Sequence, residues 1–182
     1  MWGAGGSLLG AMLATLLYGG QWAAPRIMAW VGTIAAPILA RVWPSIQQSA
    51  QRVANVWNQP WSQRGRDIED AFGRTLARNF PGIDRFVDNI ATSIKSLDLT
   101  APTYQNLSAL TGRVQAYIRE LSRFQGARDI APNMIMGREL ILVIPSGSGT
   151  LAQWEVLQSL YQYAQTWGVI LIGLTQDRTV DD

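Results

Sequence analysis

Two continuous apolar stretches near the end of the chain, that of RELILVIP (138–145) after its first two residues and VILIGLT (169–175), constrain its fold more than anything else in it. A strand that is apolar at every position has to be covered on both faces, which is the situation of a sheet lying between layers of helices. The stretch between them, TLAQWEVLQSLYQYAQTWG (150–168), has helical character, with Thr150 placed to cap its start. Upstream, RGRDIEDAFGRTLARNF (64–80) places Ile68, Ala71, Phe72, Leu76 and Phe80 at the spacing of one helix face, and NFPG is the expected stop. IDRFV and ATSIKSLDL are short β-type runs separated by Asp88-Asn89, a pair suited to a tight turn, so they predict a hairpin. Thr103 to Phe124 has a helical period with an expected break near Gly112. From residue 64 the predicted order is helix, strand, strand, helix, strand, helix, strand: an α/β domain. IPSGSGT (144–150) is glycine-rich, but it lacks the lysine of a phosphate-binding P-loop and is read as a strand-to-helix turn.

The front of the chain is different. Residues 1–63 carry Arg26, Arg41 and Arg52 and no acid, whereas all thirteen carboxylates lie from Asp67 onward. Its apolar stretches, punctuated by Gly19-Gly20, Pro25, Pro37 and Pro44, predict two apolar helices followed by an amphipathic helix around Ser45 to Asn58. The first stretch is about long enough to cross a bilayer, which takes ~20 residues, although its glycine and alanine content makes it a weak span. A signal peptide fits poorly because a positively charged start is missing. Two readings stay open: a packed helical hairpin separated from its covering partner, and a membrane-seeking segment. NQPWSQRG (58–65) reads as a linker, which divides the chain into an apolar helical segment, 1–63, and a domain, 64–182.

Composition excludes several chemistries. The 182 residues contain no cysteine and no histidine, so disulfides, thiolate catalysis, Ser-His-Asp triads and imidazole or thiolate metal sites are all ruled out. What remains is carboxylates, hydroxyls, guanidinium groups and one amine, a set suited to hard cations such as Mg²⁺ or Mn²⁺.

That amine is Lys95, the single lysine among fifteen basic residues. In ATSIKSLDL, Ala91, Ser93, Lys95 and Leu97 share one strand face, with Thr92, Ile94, Ser96 and Asp98 on the other. Asp84, across the hairpin, can lie beside the Lys95 amine, and Glu69 is carried by the entering helix. Two carboxylates to hold a divalent cation and an amine to orient or activate water make a kit for metal-dependent phosphodiester cleavage. Lysine suits the task as a compact point charge that can lose its proton, where arginine is a permanently charged fork. The same residues also fit a solvated strand edge with an incidental lysine, and composition does not choose between the two. Asp70, turned about 100° around the helix from Glu69, and Asp98, on the opposite strand face from Lys95, are read as structural.

The stretch RGRDIEDAFG…NFPGIDRFVDNIATSIKSLDLTAPTYQN resembles the toxin domain of Burkholderia-type contact-dependent growth-inhibition proteins, over roughly residues 64 to 175. The resemblance implies a restriction-endonuclease-like fold of the PD-(D/E)xK superfamily, a mixed sheet flanked by helices, here preceded by the all-helical apolar segment. It implies that Glu69, Asp84 and Lys95 fill the active-site pattern, with Glu69 and Asp84 as metal ligands. Ser93 then stands where the superfamily usually has its second acid. Thr103, Tyr104 and Gln105 match a TYQ element, in which Gln105 would position a phosphate or water and Tyr104 would meet substrate or pack. From the residues themselves, Arg66, Arg74 and Arg113 are candidates to meet substrate phosphates, an affinity with little sequence information, and equally fit solvated helix faces with acidic partners such as Glu120 and Asp129.

The implied activity is a Mg²⁺-dependent endonuclease toxin cleaving tRNA. A secreted or cell-surface protein would deliver it into the target-cell cytoplasm, and a cognate immunity protein would restrain it. The alternatives are a DNase of the same fold, or a non-enzymatic protein acting on membranes through residues 1–63.

Overall fold

The computed structural model describes residues 28–30 and 56–176. The expected helices of the front segment otherwise lie outside the described residues, as does the reading of that segment as membrane-seeking. Within it, Met28–Trp30 is a strand, β1, where an apolar helix was expected. The reason is pairing: β1 adds antiparallel to a sheet edge, Met28 opposite Thr175 and Trp30 opposite Gly173. Among the described residues no helix is long and apolar enough to cross a membrane.

After a 3₁₀ turn at Val56–Asn58 come α1 (Trp61–Ala71), β2 (Arg85–Val87), β3 (Ile90–Ser96), α2 (Pro102–Gln105) and α3 (Leu107–Ser122). A second 3₁₀ turn at Pro132–Met134 leads to β4 (Gly137–Pro145), α4 (Leu151–Thr166) and β5 (Ile170–Gln176). The order from α1 onward is the one read from the sequence, with one short helix added. The sheet runs β1-β5-β4-β3-β2, with β3, β4 and β5 parallel and antiparallel strands at both edges.

Stepping β3 to β4 to β5 in one direction with right-handed crossovers puts α3 and α4 on the same face. There Leu110, Val114, Ile118 and Leu121 of α3 and Leu157, Leu160 and Ala164 of α4 pack on Ala91, Leu140, Leu142, Ile144 and Leu171. The other face, Ile94, Ile141, Val143, Ile172 and Leu174, is covered by Val56, Trp57, Ile68 of α1 and Phe72 just past its end. The β4 run is apolar from Leu140 to Pro145 because both faces are covered. Burying each of these large side chains contributes roughly 1.5–3 kcal/mol, and Ile68 and Phe72 are the anchors that hold α1, and hence Glu69, to the sheet.

Two boundaries differ from expectation. Helix α1 begins earlier, at Trp61, so it crosses the stretch read as linker, and it ends at Ala71 rather than near Phe80. Gly73, at φ +83°, turns the chain left-handed just past the helix, a conformation that suits glycine. Leu76 and Phe80, which extend the helical period in sequence, pack instead against the core on the α3/α4 side. The interruption expected at Gly112 falls at Asn106, whose extended backbone separates α2 from α3 and whose side chain accepts from the Ser108 and Ala109 amides at 2.9 and 3.2 Å. That cap outweighs the modest helix penalty of glycine, so α3 runs straight through Gly112.

Candidate active site

The hairpin sets the geometry. Asp88 and Asn89 both adopt positive φ, 50° and 63°, which is what a two-residue turn matched to strand twist requires. The register it fixes, Arg85 opposite Thr92 and Val87 opposite Ile90, brings Asp84 level with the middle of β3. The Asp84 amide donates to the Thr92 carbonyl at 2.9 Å, and its own carbonyl accepts from Thr75 and Leu76. Its carboxylate is therefore held by the backbone on both sides.

That carboxylate is the hub of the site. Oδ2 accepts the Ile94 amide at 2.7 Å and the Ser93 hydroxyl at 3.5 Å, and it ion-pairs with Lys95 Nζ at 3.7 Å. Ser93 is buried, while the Lys95 side chain keeps 30 % of its surface exposed, so the amine is reachable from solvent. Asp84 Oδ1 takes Arg74 Nη2 at 3.4 Å. The same nitrogen pairs with Oε2 of Glu69 from α1. Glu69, Asp84, Ser93 and Lys95 are thus brought together, with Arg74 as the link between the two carboxylates. Asp70 lies at the rim, paired with Arg74 and Arg78.

Other residues singled out in the sequence lie elsewhere. Gln105 donates to the Leu99 carbonyl at 2.9 Å, and Tyr104 packs partly buried against the core while its carbonyl accepts from Gln153. Arg66 is exposed on α1, and Arg113 is exposed on α3 with its guanidinium 5.9 Å from the Tyr117 ring centre. Burial, and then the neighbouring Tyr104 phenol, push the Tyr117 hydroxyl above its ordinary pKa, with Arg113 pulling the other way. Among the described residues no hydrogen bond or ion pair joins Arg66, Tyr104, Gln105 or Arg113 to the Asp84 cluster. Asp98, read as structural, pairs with Arg64 at 3.3 Å, and Arg64 stacks over Trp57 at 5.3 Å, fastening α1 to the end of β3.

One buried network was not anticipated. Glu139 of β4 lies opposite Thr92, accepts its hydroxyl at 3.2 Å and pairs with Arg85 at 3.4 Å beneath α1. Its signal was present: Glu139 is the one acid in the apolar β4 run, and Arg85 directly follows Asp84.

A mixed sheet covered by helices on both faces is the frame of a restriction-endonuclease-like domain. The chain belongs to the family of CDI toxin restriction endonuclease-like domains, whose pattern matches residues 64–173. In fold it is similar to a chain of the CdiA-CT/CdiI toxin and immunity complex from Yersinia pseudotuberculosis. The two are 22 % identical with a TM-score of 0.50, over 64 % of this chain and 98 % of that one. No curated protein matches the chain.

Proposed function

We propose that this domain is a divalent-metal-dependent endonuclease toxin that cleaves tRNA after delivery into a target bacterium. The observation that carries the reading is the meeting of the Asp84 carboxylate with the Lys95 amine, with Glu69 joined to Asp84 through a single guanidinium nitrogen. A phosphodiester is the substrate this geometry supports, and tRNA is carried by the motif resemblance.

The donor set fits a hard cation. Two carboxylates face a common point that already attracts a positive charge, that of Arg74. Among the described residues no cluster of three or more potential ligands forms a closed cage. Two carboxylates, with water and substrate oxygens completing the shell, is the way Mg²⁺ is commonly held. Glu69 and Asp84 would hold the ion, which when bound polarises the phosphate and lowers the pKa of a coordinated water. Lys95, fixed by Asp84 yet open to solvent, orients the attacking water and offsets charge developing on the phosphate. Ser93 and the Ile94 amide hold Asp84 Oδ2 in place, so the serine serves as a positioning group at the usual second-acid position.

A cognate immunity protein is the partner we infer for the producing cell, and the front segment belongs to delivery. The test is incubation of the full chain with total tRNA and with plasmid DNA, in Mg²⁺ and in EDTA, with products sized on a denaturing gel. Discrete tRNA fragments that require the metal support the reading. Nicked plasmid with intact tRNA reassigns the substrate to DNA, and no cleavage of either removes the enzyme.

A further inference from the structure

We propose that the Arg74 guanidinium is a built-in counter-ion standing in the place of the divalent cation between Glu69 and Asp84, so that metal binding must displace it. The inference rests on reading those two carboxylates as the metal ligands.

Three observations carry it. First, one nitrogen, Nη2, serves both carboxylates, which is the bridging position an ion would take. Second, the arrangement is fixed by the backbone. Gly73 turns the chain out of α1, the Arg74 amide donates to the Glu69 carbonyl at 3.0 Å, and Thr75 and Leu76 donate to the Asp84 carbonyl at 3.3 Å. The side chain is thereby strung between the two residues whose charges it neutralises, with only 9 % of its surface exposed. Third, the local charges already balance, with Glu69, Asp70 and Asp84 against Arg74, Arg78 and Lys95. A divalent ion added to this half-buried set with Arg74 still in place would leave two uncompensated positive charges. Lys95 sits on the far oxygen of Asp84, Oδ2, and is not in the way. Arg74 has somewhere to go: its Nε, which makes no hydrogen bond, lies 3.5 Å from Asp70 Oδ1. Pivoting on Asp70, the released fork stays at the rim of the site, where a substrate phosphate can replace the carboxylates it has lost. The device keeps the carboxylates from repelling one another before metal arrives and sets a threshold on metal affinity.

The test is Mn²⁺ binding to the full chain without nucleic acid, followed by the electron paramagnetic resonance signal of free Mn²⁺. Removing the charge in Arg74→Gln should tighten binding by about tenfold or more, while Arg74→Lys, which keeps the charge, should stay near the parent. Equal or weaker binding by Arg74→Gln than by the parent overturns the proposal. Absence of Mn²⁺ binding in every form overturns the metal-ligand reading beneath it as well. A measurement on the unsubstituted chain does not depend on any variant folding: the ¹⁵N guanidinium resonance of Arg74, assigned through bonds from its own backbone, should shift on adding Mg²⁺ while that of Arg85 does not. An unmoved Arg74 signal at saturating Mg²⁺ contradicts displacement.

Discussion

Lys95 Nζ stands 3.7 Å from Oδ2 of Asp84, and the backbone amide of Ile94, the residue between Ser93 and Lys95, donates to that same oxygen at 2.7 Å. Strand β3 thus presents three consecutive groups to one carboxylate: a hydroxyl, an amide and an amine. The amide locks the carboxylate's orientation and leaves the amine as the member open to solvent.

Replacing Lys95 with methionine, which keeps the stem and removes the charge, should slow cleavage by about hundredfold or more. Thermal stability should change little, because the amine is partly solvated and such pairs contribute ~1 kcal/mol or less. Arginine at the same position should not restore activity, since a planar fork does not fit the point contact with Oδ2. Single-turnover rates and melting curves on the same preparations check both halves.

Asp84→Asn should lose activity to a similar degree and, unlike the lysine variant, lose stability too. Asp84 is buried and accepts an amide, a hydroxyl and a guanidinium. Weakening those contacts should cost about 1–3 kcal/mol, read from denaturant unfolding.

Glu139→Gln separates folding from chemistry. It leaves the Arg85 charge buried without its carboxylate, and breaking such a pair costs about 3–5 kcal/mol. Where the variant is held folded by low temperature, cleavage per folded molecule should stay within a few fold of the parent.

Tyr117→Phe should act on the alkaline side of the stability profile. The folded state holds the Tyr117 phenol neutral beyond its ordinary pKa, so its contribution is complete below about pH 10 and is lost as pH rises through the raised folded value. Removing the hydroxyl should make the fall in melting temperature at high pH shallower and leave neutral pH little changed. An identical alkaline slope in parent and variant contradicts this.

The layered fold was legible because its signals are local: the continuous apolar runs of β4 and β5, the Asp88-Asn89 turn, and Thr150 accepting from the Gln153 amide at 3.3 Å at the head of α4. The hairpin register then followed, and with it the approach of Asp84 to Lys95. What sequence did not disclose depends on a third dimension. Leu76 and Phe80 continue the α1 period, yet Gly73 redirects them to the opposite core, a choice set by backbone handedness and tertiary packing. The link from Glu69 to Asp84 through Arg74 is legible only once that turn is in place. Likewise Arg85 meets Glu139 across fifty-four positions of chain, a separation that no periodicity spans.

The most direct measurement is single-turnover cleavage of nucleic acid in Mg²⁺ by the full chain and by its Asp84→Ala and Lys95→Ala variants, alongside growth inhibition when each is expressed in bacteria. The account predicts metal-dependent cleavage by the parent, its loss in both variants, and loss of growth inhibition with it. Growth inhibition undiminished in both variants, with no metal-dependent cleavage by the parent, would contradict the account and place the harmful activity in residues 1–63.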